Sequence, residues 1–432
     1  MKKAVNIFWF RRDLRLQDNH GLYRALTSGL PVLPVFIFDR DILDALEEKQ
    51  DPRVRFLLES LTQMRETLRS HGSDIEVRVG RPLQCLREIC RDHRVQKVFT
   101  NRDYEPYARK RDEQIAQWLR SENMEFEAFK DQVVFEESEV VKDNGEPYSV
   151  YTPYMRQWKK NLQKHQQAFR PFASADHLDQ CHSLQNQWWP ELEDLGFEVD
   201  DVSIPKKTIP KATLREYKHR REQPAVDGTS RLGVHFRFGT VSIRRAMSVA
   251  REFSETWWNE LIWREFFMQI LFHHPDIVTQ PFKPEYARIA WRNNSKDFQA
   301  WCEGRTGYPL VDAGMRQWNE TGYMHNRVRM VTASFLCKHL LLPWTWGERY
   351  FARKLLDFEL ASNVGNWQWA AGCGTDAAPY FRVFNPQRQL ERFDPKAEYV
   401  KHWVPEWKTA KYPEPIVEHK AARERALKVY KE

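Results

Sequence analysis

Glycine and cysteine are scarce in this chain, with 17 glycines and six cysteines among 432 residues. The glycines form neither a G-x-G-x-x-G turn nor a P-loop, so the usual nucleotide-binding fingerprints are missing. The cysteines (Cys85, Cys90, Cys181, Cys302, Cys337 and Cys373) are scattered and make no C-x-x-C pair. That pattern argues against a disulfide scaffold and a zinc site, predicts no bound metal, and suits a reduced, cytoplasmic chain. Long apolar runs are lacking too. None could span a membrane, and MKKAVNIFWFRRDLRL has too few apolar residues before Arg11 and Arg12 for a signal peptide. Charge of one sign does not dominate: 67 basic and 60 acidic residues leave a net charge of +7, a modest excess that suits a phosphate-facing surface without demanding one.

Tryptophan, by contrast, is abundant, with 17 residues lying mostly in the second half. Large cores and flat ligand sites both use indole rings, which bury much surface at little entropic cost. The two halves also differ in pattern. Up to about residue 135, strand-length apolar runs (4–10, 30–38, 73–79, 96–100 and a fifth at 126–135) alternate with helical patterns at 53–71, 83–93 and 107–121. Such alternation predicts an α/β domain with a doubly wound parallel sheet over residues 1–135. Residues 136–205 read as a connector, with Asp143-Asn144-Gly145 as a hairpin-turn signal. From 206 to 432 the pattern is all-α, with helices expected at 254–273, 308–320, 325–341 and 346–359.

Four segments of the helical half carry candidate chemistry. Tyr217 precedes PAVDGTSRLGVHFRFG (224–239), where Asp227, Gly228, Thr229 and Ser230 place a turn, hydroxyls and backbone N–H groups ahead of several arginines. A pyrophosphate needs those groups, although a capped helix start uses the same residues. In TWWNELIWREFF (256–267), Glu260, Trp263 and Phe267 share a helical stripe beside Arg264, setting a carboxylate next to an aromatic plate; a core stripe with a rim carboxylate would look alike. GYMHNRVRMVTASF (322–335) puts His325, Asn326, Arg329 and Met330 on one expected helical face. So polar a cluster calls for a ligand or a counter-charge, which Asp357 or Glu359 could supply. The fourth, ASNVGNWQWAAGCGTDAAPYFRVFNP (361–386), is dense in Gly, Asn and Trp and permits close approach to a flat ligand.

Together WFRRDLRLQDN (9–19), DGTSRL (227–232), ELIWREF (260–266), GYPLVDAGMRQ (307–317), MHNRVRM (324–330) and NWQWAAGCGTDAAPYFR (366–382) resemble the cryptochrome/photolyase family across nearly the whole chain. The resemblance implies an α/β antenna domain and a helical domain holding a U-shaped FAD. Positions matching the family's FAD contacts are Tyr217, Thr229, Ser230, Arg231, Leu232, Trp257, Arg264, Asn326, Arg329, Asp357, Glu359 and Asn363. Asn363 would face flavin N5, an amide that suits electron donation better than protonation. Trp291, Trp344 and Trp367 match a three-tryptophan electron relay.

For UV-damaged DNA, the resemblance implies that Trp263 and Trp369 flank a flipped pyrimidine dimer. Glu260 would meet the pyrimidine edge, Asn326 and Met330 would complete the pocket, and Arg221, Arg327 and Arg382 would contact phosphates. The implied reaction is repair of cyclobutane dimers by an electron from excited, reduced FAD, carried out by a monomer. The competing expectation is a cryptochrome-like blue-light receptor signalling through a partner; Asn363 and the roughly 33 residues after Tyr399 speak against it. Three positions depart from the common pattern. Tyr323 stands where many members have Trp, and Tyr107-Ala108 replace an Asn-Glu pair that clasps folate in one branch. A second antenna chromophore, folate or deazaflavin, is therefore expected without a settled binding mode.

Overall fold

A computed structural model describes residues 3–185 and 187–431 and divides the chain into two compact units. The first comprises Met1–Val140, Trp158–Thr208 and Leu232–Val249. Its sheet consists of β1 (Ala4–Phe10), β2 (Val32–Asp39), β3 (Glu76–Gly80), β4 (Arg94–Asn101) and β5 (Glu125–Phe129), in the order β3-β2-β1-β4-β5. All neighbouring pairs are parallel. The strands β1 and β2 are buried on both faces, which is why their sequences are continuous apolar runs and do not alternate. Two apolar clusters account for this: Phe8, Phe10, Phe36 and Phe38 pack on one face, and Ile7, Trp9, Val35 and Ile37 on the other.

The sheet is covered by α1 (His20–Leu26), α2 (Pro52–Ser70), α3 (Pro82–Asp92) and α4 (Pro106–Ser121); the last three coincide with the expected helical patterns, and α1 was not anticipated. Three of them start with Pro in the first turn, where the missing N–H costs nothing. The fifth strand is shorter than the apolar run suggested. It ends at Phe129 because Asp131 turns away to pair with Arg15 and Arg244 at 2.6 and 2.8 Å, a buried ionic knot that no sheet position could satisfy.

The second unit comprises Val141–Gln157, Ile209–Arg231 and Ala250–Glu432. Its helices include α5 (Glu255–His273), α6 (Pro309–Thr321), α7 (Asn326–Ser334), α8 (Trp344–Lys354), α9 (Leu360–Ala371) and α10 (His419–Val429). The hairpin signal at Asp143-Asn144-Gly145 forms a turn closed by an antiparallel bridge between Val141 and Pro147. Two expected helices end early. The 325–341 pattern is α-helical only to Ser334 and then widens into a π-turn at Phe335–His339. The 346–359 pattern stops at Lys354, since Leu355 is extended and the Leu356 N–H donates to the Gly322 carbonyl at 3.1 Å. That break frees Asp357 to leave the helix.

Helices α8 and α9 meet closely because α8 carries glycine where the Trp367 ring crosses. A Cβ on Gly347 would stand 2.1 Å from that ring. Likewise a Cβ on Gly365 would stand 2.2 Å from Phe267, so α9 lies tightly against α5 as well.

Candidate functional site

A cavity of about 100 Å³ lies among α7, α8 and α9 of the second unit. Asn326, Arg329, Met330, Asp357, Glu359, Asn363, Trp367 and Trp369 line it, so segments far apart in sequence meet there, whereas Tyr217, Thr229, Ser230, Arg231, Leu232, Trp257, Glu260, Trp263 and Arg264 are not among its lining residues. Phe351, Leu355, Phe358 and Ala370 supply apolar walls. The Arg329 guanidinium is held at both ends: Nε donates to the Met324 carbonyl at 2.7 Å, and Nη2 to the Asp357 carboxylate at 2.9 and 3.1 Å. A cation so fixed cannot swing into solvent, and it presents positive charge to the cavity. Fixed charge, an amide and apolar walls form a donor set that fits an isoalloxazine, whose one edge is polar and whose other edge is hydrocarbon.

His325 departs from the expected arrangement. It is the N-cap of α7, its ring accepting from the Arg327 N–H at 3.2 Å, and it is buried away from the face of Asn326, Arg329 and Met330. Burial lowers its pKa to about 4, with the nearby Glu222 opposing. The ring is therefore neutral at physiological pH, as an accepting cap requires.

The DGTSR turn connects to the following motif through Tyr323. The Thr229 and Tyr323 hydroxyls lie 3.2 Å apart, and the Arg231 and Arg329 guanidiniums sit 5.0 and 5.8 Å from the Tyr323 ring. The departure at Tyr323 thus adds a hydroxyl partner that an indole could not provide in the same way. Arg231 also pairs with Asp227 at 3.2 Å. Ser230 is half-buried, and Tyr217 and Trp257 are buried. Leu232 is fully buried and belongs to the first unit, and Arg264 is half-buried on α5.

At Trp263 one ring face is covered. Tyr151, at the start of the helix Tyr151–Lys164, stacks on it at 3.7 Å and 9°, with its hydroxyl donating to the Asn259 carbonyl at 2.8 Å. Phe266 and Phe267 pack at 5.5 and 5.4 Å, so the indole plane is fixed before anything binds. Glu260 pairs with Arg221, and Arg327 pairs with Glu222. Desolvation raises the Glu260 pKa and the Arg221 charge opposes the rise. Arg382 is exposed beside the exposed Phe381.

Of the tryptophans read as a relay, Trp367 lines the cavity and meets Phe351 and Trp301 edge-on at 5.0 and 6.1 Å. Trp344 is buried at the start of α8, and Trp291 is half-buried against Tyr430 at 6.2 Å. Sequence reasoning missed Tyr151, hidden in what read as connector, and Glu348. The latter could have been found as a carboxylate on the buried stripe of α8, next to Gly347 and Phe351.

In the first unit, the strand order reverses between β1 and β4, the place where open α/β sheets accept ligands beyond their carboxyl ends. Charged side chains gather there. Arg11 reaches Asp112 at 2.6 Å, Arg12 reaches Asp103 and Glu105 at 3.1 and 2.8 Å, and Arg11 and Arg111 lie 5.0 and 4.9 Å from the Trp9 ring. Tyr107 donates its hydroxyl to Asp39 at 2.7 Å, and Ala108 is buried.

A parallel α/β unit joined to a helical unit with this cavity defines the flavin-dependent photolyase class. Residues 6–173 match the DNA photolyase family, and residues 257–411 match the FAD binding domain of DNA photolyase; the chain belongs to this family. It is 36% identical to the deoxyribodipyrimidine photo-lyase of Halobacterium salinarum, covering 99% of this chain and 98% of that protein. It is similar to the crystal structure of a bacterial class III photolyase from Agrobacterium tumefaciens, with TM-score 0.88 and 33% identity over 100% of this chain and 98% of the other. A further relative is the archaeal photolyase of Sulfolobus tokodaii, solved with two FAD molecules, at TM-score 0.83 and 33% identity over 99% of both chains.

Proposed function

We propose that the cavity bounded by α7, α8 and α9 holds FAD beside a docking face for a flipped pyrimidine dimer, and that the residues named above act there. The chain is a DNA repair enzyme of the deoxyribodipyrimidine photo-lyase type, acting on cyclobutane dimers in damaged DNA. The observation that carries the site assignment is the convergence of Arg329, Asp357, Asn363 and Trp369 on one apolar-walled cavity. When bound, reduced FAD supplies the light-excited electron that opens the cyclobutane ring.

The chain's own side chains do the rest. Arg329 and Asp357 keep a fixed charge against the flavin, favouring its anionic form. Thr229, Ser230, Arg231 and Tyr217 bind the phosphate region, with Leu232, Trp257, Arg264, Asn326 and Glu359 completing the cradle. Asn363 faces flavin N5. The free face of Trp263, backed by Tyr151, stacks on one base of the dimer and Trp369 borders the other. Glu260 meets the pyrimidine edge, Met330 and Asn326 close the pocket, and Arg221, Arg327 and Arg382 bind phosphate. Trp291, Trp344 and Trp367 relay electrons to the oxidised cofactor.

The charged carboxyl edge of the first unit takes a second, light-harvesting chromophore of the folate or deazaflavin class, bound without the Asn-Glu clasp that Tyr107-Ala108 replace. The protein works as a monomer in the cytoplasm; its six cysteines are all free thiols. Among the described residues, no helix is long and apolar enough to cross a membrane.

The test is equilibrium binding in the dark. Purified protein should carry one FAD in this cavity and prefer an oligonucleotide with one thymine dimer over the undamaged strand by 10³-fold or more, on the order of other site-specific DNA binders. Equal affinity for both strands contradicts the assignment.

A further inference from the structure

Val150 precedes the helix Tyr151–Lys164, and a valine has no side-chain oxygen with which to cap it. The Tyr151 N–H, in the first turn, has no acceptor within the helix. It donates instead to the Asp376 carboxylate Oδ2 at 3.2 Å, 225 residues away in sequence. Beside it the buried Thr375 hydroxyl donates to the Ser149 carbonyl at 2.6 Å. Asp376 has a left-handed backbone, with φ 46°, which an aspartate adopts only where its surroundings hold it. The turn is rooted at its other end as well. The Cys373 and Gly374 N–H groups both donate to the Gln368 carbonyl at 3.1 Å, and a Cβ on Gly374 would stand 2.8 Å from the Gln368 side chain. Gln368 adjoins Trp369 on α9. One short turn is therefore fastened both to the helix that carries Trp369 and to the residue that stacks on Trp263.

We infer that Asp376 is a positioning residue: it holds Tyr151 behind Trp263 and so fixes that indole relative to Trp369. This rests on the reading that the two rings flank the extruded dimer. A pair of planes that sandwiches a ligand loses affinity when either can tilt, because binding must then order it. Phe266 and Phe267 touch the Trp263 ring from its own helix, whereas Tyr151 reaches it from a separate segment. Without the carboxylate, the first turn of that segment loses its acceptor, and the plate behind Trp263 is free to fray. Asp376 thus acts through Tyr151 on the lesion pocket.

The test is a fluorescence-anisotropy titration in the dark, with FAD-loaded protein and either a dimer-containing oligonucleotide or its undamaged counterpart. Asp376→Gly keeps the left-handed turn and removes the acceptor. Asp376→Asn keeps an accepting oxygen and tolerates the same backbone. Asp376→Gly should weaken dimer binding by about tenfold, the scale of one lost helix cap, while FAD is retained and undamaged-strand affinity stays within about twofold. Asp376→Asn should restore most of the wild-type affinity. Thr375→Val, a near-isosteric loss of the neighbouring bond, should cost about threefold and is the second probe should Asp376→Gly not fold. In the Trp263→Ala background, Asp376→Gly should add less than about twofold, because the residue acts through that ring. Unchanged dimer affinity in both Asp376→Gly and Thr375→Val overturns the proposal; so does an equal loss without Trp263, or an equal loss for undamaged DNA. Wild-type protein that binds both strands alike overturns the flanking-ring reading first, and this inference with it.

Discussion

In the proposed site, lesion capture depends on one indole face. Tyr151 already covers the other side of Trp263, so the ring is held in plane without a substrate. Trp263→Ala should weaken binding of dimer-containing DNA by about 1–3 kcal/mol, the usual value of one base–aromatic stack, with FAD retained. A fluorescence-anisotropy titration in the dark measures it. Trp367 makes a different demand, since its ring lines the cavity and touches Phe351. Trp367→Phe should slow photoreduction of oxidised flavin far more than repair by protein reduced beforehand. Flash photolysis with and without a chemical reductant separates the two, and equal loss of both would remove Trp367 from the relay. His325 predicts a pH effect. Its folded pKa lies near 4, below the ordinary histidine value. The unfolded chain therefore binds the proton more readily, and stability is lost as pH falls from about 6.5 through about 4. His325→Asn, which keeps a capping oxygen, should flatten that limb in melting temperatures recorded between pH 4.5 and 7.5.

Between elements, the account turns on two glycines that let α9 sit against α5 and α8. Gly365→Ala would press a methyl group into Phe267, and Gly347→Ala would press one into Trp367. Each should destabilise the helical unit by about 1–3 kcal/mol, measurable as a lower denaturation midpoint. Gly347→Ala should in addition displace the Trp367 ring and slow photoreduction, which Gly365→Ala should leave largely alone. These contacts also show why helix boundaries were less legible than helix existence. Periodicity located α5 and α6 within a residue or two, because their stripes are set by local sequence. It overran α8, where the chain is stopped by distant partners, the Gly322 carbonyl that takes Leu356 and the Arg329 that holds Asp357, and it overran α7, which passes into the π-turn at Phe335–His339. The fifth strand was overread for the same reason, since Asp131 is drawn out by Arg15 and Arg244.

Across the whole molecule, the alternation of runs in the first third specified a parallel sheet, and the motif order specified the photolyase family. Of the motifs, MHNRVRM and NWQWAAGCGTDAAPYFR send residues to the cavity lining, whereas Thr229, Arg231, Glu260, Trp263 and Arg264 are not among the residues that line it. Tyr151 and Glu348 did not announce themselves, because their importance comes from what they press against: an indole plane for one, an amide for the other. His325 was misplaced because a capping histidine and a facing one look alike in sequence. The central claim is that this architecture brings a photo-excitable electron donor to an extruded thymine dimer. It is tested most directly by single-turnover repair. Purified, pre-reduced protein mixed with a dimer-containing oligonucleotide should return intact thymines after a blue flash and none in darkness. Dimers that survive illumination by flavin-loaded, DNA-bound protein would contradict it.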